Sequence, residues 1–229
     1  MQNLSTVARR LKSLGLDDVV YVGGAIIGLL LTDEAAPGVR PTLDVDVVTP
    51  VASRSAYHEI EARLRAEGFV QPIGEGPPIC RWNIDGVPVD IMPIDEAILG
   101  FSNRWYGSLV RHAVPLTLPN GETIRVASAT YALATKLEAF YGRGGSDYRV
   151  SHDLEDILIL LDGRRELAAE IASAAEDVRT YIAEKFGSLL ETAEFVDSIP
   201  GYLDPDDASQ AREPLIRERM RSIKELAYK

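Results

Sequence analysis

The chain has 229 residues, 46% of them hydrophobic, with a net charge of −11 and one cysteine. That length and apolar content suit one large or two small domains with a real core. A lone cysteine excludes an intramolecular disulfide, and an acidic total argues against a chain built to grip nucleic acid over its whole surface.

Met1–Leu16 reads as a short amphipathic helix, with Leu4, Val7, Leu11 and Leu14 on one side and Gly15 as its stop. Arg9, Arg10 and Lys12 are present, but there is no apolar core of a signal peptide. No apolar run reaches the length of a membrane span, so no membrane partner is expected, and the single cysteine without a signal segment makes the cytoplasm the expected compartment. Val19–Val22 then forms a short β-branched run that ends at Gly23-Gly24 and passes into an apolar helical segment. Two glycines at such a junction allow a sharp turn and close backbone approach to a ligand. The pair is neither a P-loop nor a good dinucleotide fingerprint, because no Gly-Lys-Ser/Thr follows and Ala25 holds the place of the middle glycine. A tight structural turn explains it equally well.

Next comes Leu43-Asp44-Val45-Asp46-Val47-Val48, a strand that carries two acids. Residues i and i+2 of a strand share a face, so Asp44 and Asp46 project together. Like charges so close raise one pKa unless a positive group lies between them, and a divalent ion such as Mg²⁺ is the natural neutraliser. The plain alternative is two solvated acids on an edge strand. Ser53–Glu67 reads as a helix closed by Gly68, followed by strands near Phe69–Ile73, Ile79–Ile84 and Val87–Met92. Asp85-Gly86 marks a two-residue hairpin between the last two. The second of these strands places Asp90 between Val89 and Ile91, which want burial. If it pairs beside the strand of Asp44 and Asp46, three carboxylates meet, as in a two-metal site with ions about 3.5–4 Å apart. Asn120-Gly121 joins a further hairpin, Ala113–Leu118 with Thr123–Val126.

From Ser128 on, helices dominate: Ser128–Tyr141, Ser151–Leu161, Arg165–Phe186, Ser188–Asp197 and Ala208–Ala227. Ser151 is a good cap for the second. Asp153 and Asp156 share one face of it, three residues apart, although an acid in a first helical turn needs no functional reason. Lys136 offers a cation on the preceding helix; a solvated helix face is its plain alternative. Cys80 reads as a packed strand residue. His58, His112 and His152 lack zinc-ligand spacing.

Gly23-Gly24, then Arg40-Pro41-Thr42-Leu43-Asp44-Val45-Asp46, then Val89-Asp90-Ile91 resemble the signature of polymerase-β-like nucleotidyltransferases. The Arg-x-Thr-x-Asp-x-Asp form is most similar to the AbiEii/AbiGii-type toxin family. Lys136-Leu137-Glu138-Ala139 with Arg143 looks like that family's Lys-x-x-Ala…Arg motif, and Asp153-Leu154-Glu155-Asp156-Ile157 like its Arg-Asp-x-x-Asp-Leu motif. The match runs over roughly residues 19–160. It departs from the pattern in a longer gap before Asp44, with Thr32–Val39 as an inserted loop. It departs again in a lengthened stretch Gly142–Val150, and in His152 where the family has arginine.

The resemblance implies an α+β fold: a polymerase-β-like nucleotidyltransferase core over 1–127, then a C-terminal helical bundle over 128–229 that completes the active-site cleft. It implies catalytic roles for Asp44, Asp46, Asp90, Lys136 and Asp153, with Asp44, Asp46 and Asp90 as metal ligands. Nucleotide contacts would come from Gly23, Gly24, Arg40, Lys136 and Asp156. The reaction it implies moves an NMP from an NTP (ATP among them) to an acceptor hydroxyl, using Mg²⁺ or Mn²⁺. The acceptor would be tRNA or other RNA and the setting a toxin, with a cognate antitoxin protein as partner. Three alternatives stay open: a small molecule such as an antibiotic or a protein side chain as acceptor, a non-catalytic nucleotide-binding module, and, least supported, a degenerate dinucleotide-binding protein. The acidic surface mildly favours a small-molecule or protein acceptor. Clusters of positive residues, Arg104, Arg111 and Arg125 and later Arg217, Arg219 and Arg221, leave RNA open.

Overall fold

The computed structural model describes all residues except Pro37, Glu75, Pro77, Ser146 and Lys229. Parts of both expected insertions, at Pro37 and Ser146, therefore lie outside the described residues. The chain divides into two compact units, Met1–Ile26 with Arg40–Ser128, and Ile27–Val39 with Ala129–Lys229.

In the first unit, α1 (Gln2–Ser13) is the expected amphipathic helix and buries Leu4, Val7, Ala8 and Leu11. It is followed by β1 (Val20–Val22) and the four-residue α2 (Gly24–Ile27), with β2 at Val45–Thr49. Helix α3 (Arg54–Ala66) opens on Ser53, whose side chain accepts a hydrogen bond from the Ala56 amide. This cap satisfies one of the donors that a helix start leaves unpaired. Replacing Ser53 with alanine is expected to lower stability by about 1 kcal/mol, measured by urea denaturation. Strands β3 (Arg81–Ile84) and β4 (Val87–Pro93) form the hairpin, α4 (Glu96–Leu99) and α5 (Tyr106–Arg111) follow, and β5 (Val114–Thr117) and β6 (Thr123–Val126) make the second hairpin.

The six strands lie in the order β3-β4-β2-β1-β6-β5. The sheet is mixed: β2 runs parallel to β4 and β1 parallel to β6, while β1–β2, β3–β4 and β5–β6 are antiparallel. Val45, Val47, Val48, Val89 and Ile91 on the adjoining interior strands β2 and β4 are almost wholly buried. Burying such side chains contributes about 1.5–3 kcal/mol each and holds the strands that carry the acids. Asp85 adopts φ 51° and Gly86 φ 81° at the hairpin turn. Both central positions of a type I′ turn need positive φ, which explains the Asp-Gly pair. Arg10 Nε and Nη2 hold both Asp85 carboxylate oxygens at 2.9 Å, tying α1 to this turn. That bond holds the Asp85 carboxyl below its ordinary value.

One expected strand is absent. Phe69–Ile73 contributes only a bridge between Val70 and Asn83, because Phe69 is buried while Ile73 lies fully exposed near Gly74. Its pairing stops at that bridge, and Phe69 is its one buried side chain.

The second unit contains α6 (Ala129–Gly142), α7 (His152–Gly163), α8 (Leu167–Ala172), α9 (Glu176–Glu191), α10 (Ala193–Ser198), α11 (Asp207–Gln210) and α12 (Glu213–Lys224). The single helix expected over Arg165–Phe186 is two, α8 and α9. The break at residues 173–175 has no glycine or proline to announce it. Arg179 Nη1 approaches the Ala172 and Ala174 carbonyls at 3.5 Å, beside carbonyls that the break leaves without helical partners. The expected helix Ser188–Asp197 likewise divides between the end of α9 and α10. The helix expected over Ala208–Ala227 breaks before Pro214, which fits only the first turn of α12 because it lacks an amide hydrogen. No helix among the described residues is long and apolar enough to cross a membrane.

Segment Ile27–Val39 is fastened within this unit. The Thr32 and Asp33 amides donate to the Gly163 carbonyl at the end of α7, at 2.8 and 2.9 Å. Asp33 also binds Arg165 at 2.7 Å and Arg212 at 3.1 Å.

Candidate metal centre

Asp44 precedes β2, Asp46 lies within it, and Asp90 stands directly opposite Asp46 in the parallel neighbour β4. Equivalent residues of paired parallel strands point to one face, so the register alone brings Asp46 and Asp90 together. Each of the three acids offers a carboxylate oxygen, and these oxygens lie within 4.8 Å of one another. Asp90 is largely buried, Asp44 and Asp46 half-buried. An ion with oxygen ligands at about 2.0–2.6 Å places opposite ligands about 4–5 Å apart, so the three acids fit a Mg²⁺, Mn²⁺ or Ca²⁺ ion.

Gly23 forms one wall. It adopts φ +71°, and a Cβ at this position would lie 1.9 Å from Asp46 Oδ2 and 2.8 Å from its Cγ. The space a side chain would need is filled by the Asp46 carboxylate. Glycine at residue 23 is therefore required twice, by backbone sign and by the acid beside it.

Arg81 provides the countercharge. It sits opposite Asp90 in the antiparallel pair β3–β4. Its Nε donates to Asp90 Oδ1 at 2.7 Å, and Nη2 donates to Asp90 Oδ2 at 2.7 Å and to Asp44 Oδ2 at 3.1 Å. The bond with Asp90 holds the guanidinium above its ordinary pKa, against the opposing effect of burial. Sequence reasoning passed over Arg81, yet the signal was there. A two-residue turn at Asp85-Gly86 pairs Ile84 with Val87, and counting outward reaches Arg81 opposite Asp90. The neighbouring Cys80 is buried, and its thiol is pushed up to about 12 chiefly by that burial. A thiol so protonated is no nucleophile, in keeping with a packed residue.

Within the helical unit a second cluster forms. Lys136 Nζ on α6 lies 3.3 Å from Asp153 Oδ1 and 2.6 Å from Asp156 Oδ2 on α7. The closer approach is a charge contact without the alignment of a hydrogen bond. Arg143 Nη2 meets the other Asp153 oxygen at 2.8 Å. Both acids are buried, so removing Lys136 would leave charge in a poorly solvated place. Ser151 caps α7 through the Leu154 amide, as expected, and the exposed His152 ring faces Glu155 at 3.3 Å. Arg40 is half-buried, and Gly24 begins α2 beside Gly23.

No family model and no curated protein matches the chain. Among solved structures, JHP933 from Helicobacter pylori is similar over 99% of this chain and 94% of that one, at 10% identity and a TM-score of 0.47. A candidate nucleotidyltransferase from H. pylori is similar over 99% of this chain and 96% of that one, at 11% identity and a TM-score of 0.46. Likenesses this distant carry no argument about the chemistry, which is left to the residues themselves.

Proposed function

We propose that this chain is a metal-dependent nucleotidyltransferase that moves an NMP from an NTP to an acceptor hydroxyl. The observation that carries the reading is the meeting of Asp44, Asp46 and Asp90 from adjoining strands, with Gly23 leaving room for the Asp46 carboxylate. In the proposed reaction the acceptor oxygen bonds to the α-phosphorus, the bond to the bridging oxygen breaks, and pyrophosphate leaves. Asp90 is the proposed acceptor of the hydroxyl proton. Mg²⁺ or Mn²⁺ held by the three acids would neutralise charge on the phosphates. Gly23, Gly24, Arg40, Lys136 and Asp156 enter as nucleotide contacts, and Asp153 as a further catalytic residue, on the strength of the family resemblance. The same resemblance proposes tRNA as acceptor and an antitoxin protein as partner.

Two features favour other readings. The net charge of −11 suits a small-molecule or protein acceptor better than RNA. Arg81 already neutralises part of the acidic site, as it would in a nucleotide-binding module without catalysis.

The test is transfer from each α-³²P-labelled NTP with Mg²⁺ or Mn²⁺ and total tRNA, alongside a variant with Asp44→Asn and Asp46→Asn. Loss of several kcal/mol of charge stabilisation predicts a fall of about a thousandfold or more in the variant. Label on tRNA that disappears in the variant supports transfer to RNA. Metal-dependent NTP binding without transfer sends the reading to another acceptor or to the binding module. Absence of both NTP binding and transfer overturns the proposal.

A further inference from the structure

We infer that Arg81 is a removable counter-ion that competes with the divalent cation for Asp44 and Asp90, so that metal uptake is coupled to nucleotide binding. The inference rests on the metal-site reading above and concerns how that site is regulated.

The geometry points this way at one atom. Arg81 Nη2 lies 2.7 Å from Asp90 Oδ2 and 3.1 Å from Asp44 Oδ2, between acids that belong to different strands. Arg81 thus already occupies oxygens of two of the three acids that would hold a cation. Were Arg81 a simple cross-strand partner of Asp90, its two bonds to that carboxylate would complete the pair. The reach to Asp44, outside the hairpin, makes it a partner of the site as a whole.

Charge explains why such a device is useful. Three carboxylates within 4.8 Å repel one another, and the guanidinium offsets one unit of their charge. A divalent ion would offset more, but with Arg81 in place it would enter against a positive charge. The arginine is also the more exposed member of its pair with Asp90. Its side chain is 27% exposed against 11% for Asp90, and the hairpin turn beneath it is held by the Arg10–Asp85 pair. The strand can stay while the long side chain swings out. A nucleoside triphosphate supplies the reason to swing, since guanidinium matches phosphate oxygens as well as carboxylate oxygens. Nucleotide that draws Arg81 away raises the affinity of the acids for metal, and by linkage metal then strengthens nucleotide binding by the same factor.

The experiment titrates Mn²⁺ into the full chain, read by calorimetry and by the paramagnetic resonance of free Mn²⁺. It is done with and without a non-hydrolysable NTP analogue, for the unaltered protein, Arg81→Gln and Asp44→Asn. In the unaltered protein the analogue is expected to tighten Mn²⁺ binding. In Arg81→Gln, Mn²⁺ alone is expected to bind at least about tenfold more tightly than in the unaltered protein, and the effect of the analogue to shrink. A merely structural arginine would give the opposite sign, because its loss would loosen the ligands. Since Arg81→Gln leaves Asp90 without its partner, the variant is also melted with and without Mn²⁺. A larger Mn²⁺-induced rise in Tm than in the unaltered protein is expected from tighter binding to the folded state. Unchanged or weaker Mn²⁺ binding in Arg81→Gln, with binding still lost in Asp44→Asn, overturns the role of Arg81 and leaves the metal centre standing. No Mn²⁺ binding in any of the proteins overturns the metal centre itself, and the inference with it.

Discussion

Gly23→Ala is expected to abolish Mn²⁺ binding and nucleotide transfer while leaving a folded but less stable protein. Two costs add at this residue. The backbone stands at φ +71°, where an L side chain costs about 1–2 kcal/mol. The new methyl would also lie 1.9 Å from Asp46 Oδ2 and 2.8 Å from Cγ, closer than a side-chain carbon comes to another atom, and 3.0 Å from Cβ. Either the turn between β1 and α2 shifts or Asp46 rotates away from Asp44 and Asp90, at a cost of about 1–3 kcal/mol for overpacking. Both routes break the grouping of three oxygens. Mn²⁺ titration checks the site and urea denaturation the stability. Unaltered Mn²⁺ affinity in a folded variant would show that Asp46 is not a ligand.

The second large effect concerns the helical unit. Arg212 on the approach to α12 holds both Asp162 oxygens, at 2.6 and 2.9 Å, and reaches Asp33 at 3.1 Å. Asp162 lies near the C-terminal end of α7, where the helix dipole disfavours an acid, and is almost wholly buried. Burial raises its pKa above the ordinary value despite the arginine, whereas the bond with Arg165 and then the one with Arg212 hold Asp33 well below its own. Arg212→Leu therefore strands the Asp162 charge. Breaking a fully buried pair costs about 3–5 kcal/mol, and the 18% exposure of the Arg212 side chain places this one near the lower figure. Adding Asp162→Leu should restore much of the loss, because no charge is then left alone.

The pH dependence has a definite sign. Asp33, with its lowered pKa, contributes stability that is present above the ordinary carboxylate value and lost as pH falls. Asp162, with its raised pKa, works the other way, since the folded state holds its proton more tightly than the unfolded chain does. Without Arg212 its pKa rises further, so the deficit of Arg212→Leu should be largest near pH 7. It should narrow as pH is lowered toward about 4, as protonation removes the stranded charge. Denaturation curves at several pH values check this; a deficit that stays unchanged down to about pH 4 would mean that Asp33, which titrates lower, dominates.

Much of the site could be read locally. Alternating Val and Asp residues placed Asp44 and Asp46 together, and Asp85-Gly86 set the β3–β4 register that faces Arg81 with Asp90. Ser53 and Ser151 announced their helices through capping. What escaped local reading had no local cause. The breaks between α8 and α9 and between α9 and α10 carry no glycine or proline, and Phe69–Ile73 has strand-like residues without a partner along its length. The attachment of Ile27–Val39 to the helical unit depends on Asp33 meeting Arg212, 179 residues away.

By itself, then, the sequence determined the elements whose signal lies within a few residues: period, cap, turn and the two acids of one strand. Tertiary structure alone decided that β4 runs parallel to β2 with Asp90 opposite Asp46, and that Gly23 lines the Asp46 carboxylate. A parallel pairing has no connecting turn to fix its register, so only the packing of the whole sheet can set it.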